Sequence, residues 1–209
     1  MLTAALSTLV LASALLDLRA EQKGERRQVY VFKPLTTSLI VLVALRGAGA
    51  TAGAYRWLVV AGLLCSLAGD VFLMLPRDAF LAGLVSFLFA HDFYIVAFTR
   101  EGVHVRWWAA VPFALYGFRM LRSLWPRVGG LRVPVAVYVT AILLMAVLAS
   151  GRWLAVGGWA GAAAGAGAVL FVVSDSALAW DRFVGAFRGA QLLILGTYFA
   201  AQWLIALST

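Results

Sequence analysis

Two carboxylic acids lie inside apolar, membrane-length stretches of this chain. Asp70 stands in Cys65-Ser-Leu-Ala-Gly-Asp70-Val-Phe-Leu-Met-Leu75, and Asp175 in Ala168-Val-Leu-Phe-Val-Val-Ser-Asp175-Ser-Ala-Leu178. A carboxylate in hydrocarbon is costly unless partners compensate it, so an intramembrane acid marks a functional site by default. Low dielectric also favours the protonated form of a carboxylic acid. Two such groups in one bundle are equipment for acid/base chemistry, one giving a proton while the other takes one up or steadies a cation.

Other polar residues fall in the same stretches. His91 and Tyr94 are three residues apart and share a helix face, as do Tyr198 and Gln202 at four. Tyr138 enters a later apolar segment, and Lys33-Pro34 opens an earlier one. Each has a plainer reading. The aspartates can be neutralised partners that only fix packing, and a lone Tyr is more often an interhelical hydrogen-bonder. Lys33 is read either as a snorkelling or counter-ion lysine or as a phosphate anchor, with Pro34 as a first-turn helix start. Asp92, beside His91, is the second choice for a catalytic acid. Asp17, Asp78 and Asp181 sit at segment ends and are expected to be solvated, and His104 is expected in an exposed loop beside Arg106.

The elements that must position these groups are membrane helices. Of 209 residues, 64% are hydrophobic and 12% charged, against roughly 45–50% and about 25% in soluble domains. Eight spans are expected, roughly 1–18, 30–46, 55–75, 79–99, 107–121, 131–150, 157–180 and 188–208, each near the ~20 apolar residues that cross a bilayer. The fifth is the shortest and carries Pro112, Arg119 and Arg122. The fold class is therefore an all-α polytopic membrane bundle, one domain over 1–209. The first segment lacks a basic n-region and a small-residue cleavage site, and reads as a retained helix. Gly157, Gly161 and Gly165 recur at four-residue spacing, the pattern of close helix packing. A thin internal echo, Asp70 to Tyr94 and Asp175 to Tyr198, fits a parallel repeat.

Other chemistries find little support. The single cysteine, Cys65, excludes an intramolecular disulfide and a thiolate metal cluster. Two histidines cannot make a three-His zinc site. No Gly-Xaa-Ser-Xaa-Gly, His-Glu-Xaa-Xaa-His or phosphate-loop motif occurs. The formal charge of +8 comes from arginines in the loops, which points to anionic lipid headgroups rather than nucleic acid.

At these residues the chain resembles the YhhN family of membrane proteins, which includes lysoplasmalogenases. The matching pieces are Lys33-Pro34-Leu35-Thr36, Gly69-Asp70-Val-Phe-Leu73-Met74-Leu75, Phe89-Ala-His91-Asp-Phe-Tyr94, Tyr138 with Met145, Phe171-Val-Val-Ser174-Asp175 and Tyr198-Phe-Ala-Ala-Gln202. They run in order along nearly the whole chain. The resemblance implies an eight-helix bundle that hydrolyses the vinyl-ether bond of lysoplasmalogens to a fatty aldehyde and glycerophosphoethanolamine or glycerophosphocholine. Asp70 and Asp175 would be the catalytic pair. Lys33, His91, Tyr94, Tyr138, Tyr198 and Gln202 would bind a lysophospholipid, with no metal or organic cofactor required. The competing readings are a proton-coupled transporter or flippase and a non-catalytic lipid-binding protein.

Basic residues set the expected orientation. The odd-numbered loops hold eleven and the even-numbered loops five, which makes the odd loops cytoplasmic and both termini non-cytoplasmic, in a bacterial cytoplasmic membrane. A reporter fused after Thr209 is expected to read as external. A cytoplasmic signal there would reverse the orientation.

Overall fold

The computed structural model describes residues 1–47, 53–100, 102, 105 and 107–209. His104 and Arg106, expected in an exposed loop, lie outside the described residues. The described chain is helical: α1 (Leu2–Lys23), α2 (Arg26–Leu45), α3 (Ala54–Met74), α4 (Phe80–Thr99), α5 (Trp107–Leu124), α6 (Arg132–Val156), α7 (Gly158–Phe183) and α8 (Ala190–Leu207), with a short 3₁₀ turn at Gly129–Leu131 before α6. Seven of the eight are long and apolar enough to cross a membrane. The exception is α5, whose Pro112, Arg119 and Arg122 dilute an 18-residue helix.

The helices outrun the apolar runs that announced them. Helix α1 continues to Lys23, and Gly24, at φ 68°, turns the chain into α2 two residues later. Left-handed backbone of this kind suits glycine, which has no Cβ to clash. Because α2 begins at Arg26, Pro34 is a residue of the helix interior, not of its first turn. Hydropathy marks only the part of a helix in lipid, and the basic turn Arg26–Arg27 lies outside that part. Gly157 likewise is not part of the glycine face of α7. It caps α6 at φ 67° and makes the turn between the two helices.

Six helices close a ring. α2 packs on α3, α3 on α4, α4 on α6, α6 on α7, α7 on α8, and α8 back on α2. Two are peripheral: α1 lies against α2 and α8, and α5 against α6 and α7. Close approach is built from small residues. A Cβ on Gly69 would meet Phe87 and one on Gly62 would meet Tyr94, which brings α3 against α4. Gly161 and Gly165 face Trp153 of α6, and Gly167 lies under Ala201 and Ile205 of α8. The core inside the ring is a cluster of buried aliphatic and aromatic side chains, including Ile40, Leu63, Phe98, Met145, Phe171 and Ile205.

At one end the ring is sealed. Tyr55 shares a 2.7 Å hydrogen bond with Ser208, the Thr209 hydroxyl donates to Ala44 O at 3.0 Å, and the Arg152 guanidinium lies 4.6 Å from the centre of the Tyr55 ring.

Gly167 is the clearest test of the packing. A methyl there would sit 2.8 Å from the Ala201 carbonyl oxygen and 3.2 Å from the Ile205 nitrogen, both backbone atoms that cannot step aside. Gly167→Ala is expected to destabilise the protein by about 1–3 kcal/mol, the scale of overpacking. Gly196→Ala, with nothing within 4 Å, is expected to be neutral or stabilising through helix propensity. Thermal unfolding in detergent compares the two.

Candidate functional site

Each helix of the ring contributes a polar side chain to its interior. Asp70, on α3, is buried, and three donors from two other helices surround it. The Thr37 hydroxyl (α2) and the Tyr198 hydroxyl (α8) each donate to Oδ2 at 2.7 Å, and Lys33 Nζ (α2) lies 3.9 Å from Oδ1. Lys33 and Thr37 are one turn apart on the same face of α2, so a single helix supplies both cation and hydroxyl. The side chain of Lys33 is only 11% exposed, which makes it the counter-ion of Asp70. Thr37 was absent from the residues singled out by sequence, although its four-residue spacing from Lys33 was the available signal.

Asp175, on α7, is held differently. Tyr138 (α6) donates its hydroxyl to Oδ2, and His91 Nε2 (α4) lies 3.9 Å from the same oxygen. His91 is fully buried, and its Nδ1 is bonded to the Phe87 carbonyl one turn back. That bond fixes the ring and turns Nε2 towards the acid. Aromatic edges fill the space between the two aspartates. His91 contacts Tyr138 and Phe171 at ring distances of 5.1 and 4.8 Å, and Phe171, Phe87 and Tyr198 meet one another within 6.3 Å.

Both acids face one cavity of about 400 Å³, lined also by Lys33, Arg77, Arg182, Ser174, Gln191 and Tyr198. It opens at the end of the ring opposite the Tyr55–Ser208 seal, among the connections α1–α2, α3–α4 and α7–α8. Arg182 is anchored at this mouth by Asp78, 2.5 Å away, and the Arg182 guanidinium and the Phe80 amide hold the Asp78 carboxyl below the usual carboxylate range.

The other expected site residues divide. Tyr138 and His91 meet Asp175, and Tyr198 meets Asp70. Tyr94 and Gln202 instead bond to each other at 2.7 Å, fully buried on the sealed side of the acids, and line neither this cavity nor its apolar neighbour. Their contribution is to tie α4 to α8. Asp92 is on the exposed face of α4, pointing away from His91. One expectation is reversed. Asp17 is not solvated: it is fully buried in α1, and neither carboxylate oxygen has a hydrogen-bond partner among the described residues. Ser13 shares a 2.7 Å hydrogen bond with Thr36. One turn on from that antiparallel pair, Asp17 and Lys33 come level, so Lys33 stands between two buried acids. The sequence hid this because Asp17 sits just before the polar run Arg19–Lys23, which reads as a segment end.

Ring, cavity and acids together define a multi-pass integral membrane protein with an acidic, cation-lined chamber opening at one end of the bundle. The chain belongs to the YhhN family, which it matches over residues 28–209. It is 37% identical over 173 residues to the rat lysoplasmalogenase TMEM86B, covering 81% of this chain and 69% of that protein. The human lysoplasmalogenase TMEM86B is 39% identical over 158 residues, 75% and 65% of the two chains. The membrane protein YhhN of Escherichia coli is 30% identical over 201 residues, 95% of each. No solved structure matches.

The Lys33–Asp70 pair has a measurable signature. Removing one partner of a buried ion pair typically costs about 3–5 kcal/mol, because the other charge is stranded. Lys33→Ala is expected to destabilise on that scale, and Lys33→Ala combined with Asp70→Asn is expected to recover most of the loss. Denaturant unfolding of the two variants in detergent gives the comparison. Equal instability of both would show that Lys33 acts through packing alone.

Proposed function

We propose that this protein is a membrane-embedded hydrolase that cleaves the vinyl-ether bond of lysoplasmalogens, releasing a fatty aldehyde and glycerophosphoethanolamine or glycerophosphocholine. The observation that carries the reading is the sharing of one chamber by Asp70 and Asp175, each with its own set of partners. The relatives named as lysoplasmalogenases supply the substrate class.

The chemistry needs what the chamber holds. A vinyl ether is opened by adding a proton to its β-carbon, which leaves an oxocarbenium ion. Water then attacks, and the resulting hemiacetal collapses to aldehyde and alcohol. As in glycosidases, this asks for one protonated carboxylic acid and one carboxylate to steady the cation and accept the proton of water. Two carboxyls in one low-dielectric chamber do not readily both ionise, so a division of roles is expected. The edges and faces of Phe87, Phe171 and Tyr198 between them add π electrons to a site where positive charge develops.

Arg77 and Arg182 at the open end, with Lys33 deeper in the chamber, suit the phosphate of a lysolipid headgroup. The single domain covers the whole chain. It lies in a bacterial cytoplasmic membrane with the chamber mouth at the cytoplasmic face, the side of the eleven basic loop residues. A proton-coupled transporter would also use buried acids, but such proteins typically place their sites at discontinuous helices, and the six ring helices here each run as one element.

Asp70→Asn and Asp175→Asn keep the size of each side chain and remove the acid. Each is expected to cut aldehyde release from a lysoplasmalogen by roughly 10² or more, the scale of general acid/base catalysis, while lysolipid binding persists. The wild type is expected to show a bell-shaped pH–rate profile. Near-normal turnover of Asp175→Asn would remove the two-aspartate mechanism.

A further inference from the structure

The acidic chamber has an apolar neighbour. A narrow cleft of about 50 Å³ lies between α5 and the ring helices α4, α6 and α7, and its wall includes Leu84, Met120, Leu124, Val135, Val139 and Ile142. It has almost no polar lining apart from Tyr116, Tyr138, Ser176 and Asp175. Chamber and cleft adjoin, with Leu73, Phe80, Phe87, Asp175 and Leu178 in the wall of both. Among these shared residues only Asp175 carries a proton-transferring group. Asp70 faces the chamber alone.

The cleft exists because α5 is placed unlike its counterpart at the other side of the ring. Helix α1 packs on α2 and also on α8, whereas α5 packs on α6 and α7 without a matching close approach to α4. The gap between α4 and α5 is lined by Phe80, Leu84 and Phe87 of α4 and by Tyr116, Met120 and Leu124 of α5. At about 50 Å³ the cleft as it stands holds only a short stretch of hydrocarbon, so a whole tail enters only as Leu84, Met120 and α5 give way.

From this shared wall, and resting on the lysoplasmalogen reading above, we infer that the α4–α5–α6–α7 cleft is the subsite for the single alkenyl tail of the lysolipid, and that Asp175 is the residue that protonates the vinyl ether. In a lysoplasmalogen the vinyl ether is the joint between the polar glycerol phosphate and the tail. With the headgroup among Lys33, Arg77 and Arg182 and the tail in the cleft, the joint falls where chamber and cleft meet. The β-carbon is on the tail side of the ether oxygen, and Asp175 is the acid on that side.

The steps balance. The Asp175 carboxylic acid gives its proton to the β-carbon, and the alkene π pair forms the new C–H bond. A lone pair on the ether oxygen completes the oxocarbenium. Water adds to the α-carbon and loses a proton to the Asp70 carboxylate. In the hemiacetal, the hydroxyl proton returns to Asp175 as the C=O bond forms. The C–O bond to glycerol breaks, and the glycerol oxygen takes the proton held by Asp70. One water is consumed and both aspartates regain their starting forms. Asp70 needs only modest basicity, because an oxocarbenium accepts water readily. That suits an acid ringed by Lys33, Thr37 and Tyr198.

The test uses the full-length protein in detergent with two non-hydrolysable alkyl-ether lysophospholipids, each carrying a photoreactive diazirine. One has it at the second tail carbon, the other near the ninth. Peptide mass spectrometry is expected to find the proximal probe on Asp175 and its neighbours Phe87 and Leu178. The distal probe is expected on Met120, Leu124 or Val139. Proximal labelling of Asp70 in place of Asp175 overturns the assignment of the acid. Distal labelling confined to α1, α2 or α8 overturns the tail subsite.

Because the probes are not cleaved, labelling is independent of the reaction. Cleft labelling with no aldehyde released from any alkenyl substrate leaves the subsite standing and removes the vinyl-ether reading. Aldehyde release with labelling elsewhere does the reverse. Val139→Phe, which narrows the cleft, is expected to lower kcat/KM for a long-chain lysoplasmalogen by tenfold or more relative to a short-chain one, with the choline to ethanolamine preference unchanged. An equal loss at every chain length counts against the subsite.

Discussion

The structure turns on the burial of Asp70. A carboxylate inside a ring of membrane helices has no water to satisfy it, so its partners must come from the protein. They come from α2, the ring neighbour of α3, and from α8, which closes the ring against α2. One side chain therefore fixes the depth and rotation of three helices at once. Asp175 does the same for α6 and, through His91, for α4. A hydrocarbon interior gives no hydrophobic drive for one helix to choose another, and polar contacts and close packing must select the partners. The groups of the candidate site and the groups that specify the ring are thus the same.

The packing is nearly a two-fold repetition along the chain. The pairs α1–α2, α2–α3 and α3–α4 are matched by α5–α6, α6–α7 and α7–α8, and the junction α4–α6 is matched by α8–α2. Asp70 on α3 corresponds to Asp175 on α7. Its partners on α2 correspond to Tyr138 on α6. Glycine brings α3 against α4 at Gly62 and Gly69, and α7 against α8 at Gly167. Two like scaffolds hold two like acids, and chemistry requires that the acids differ. The difference is introduced by what each receives: a lysine and two hydroxyls at Asp70, a tyrosine hydroxyl and a histidine nitrogen at Asp175.

Much of this was legible in the sequence, because hydrocarbon imposes simple rules. The helix count followed from apolar length, and Asp70, Asp175, Lys33, His91, Tyr138 and Tyr198 stood out as polar residues within such runs. What stayed hidden depended on rotation and on helix ends. Asp92 and His91 are adjacent, yet one faces outward and the other is fully buried. Tyr94 and Gln202 lie at plausible depth, yet they pair with each other. Asp17 reads as a segment end only because the apolar run stops there, while the helix continues to Lys23 and carries the side chain inward. Thr37 is an unremarkable residue in a helix until Asp70 is placed opposite it. Its four-residue spacing puts it on the face of Lys33, but the pairing of α2 with α3 and α8 decides what that face meets.

Asp17 changes the charge account of the chamber. With it, two buried carboxyl groups, Asp17 and Asp70, share the ammonium of Lys33, while Asp175 stands across the chamber with Tyr138 and His91. Isolated charges are the costly species in a low-dielectric interior. One ammonium can compensate one carboxylate, so the cheapest arrangement of the empty chamber keeps protons on the others. Asp70, with three donors, is the better placed of the acids to stand as a carboxylate, which agrees with the role of acid proposed above for Asp175. A bound phosphate at the mouth would compete for Lys33 and draw part of its field away from Asp70. On the proposed reading, the headgroup would thereby make Asp70 a better acceptor as the vinyl ether reaches Asp175. A lipid without that anion would fill the same space and leave the pair less well set for reaction.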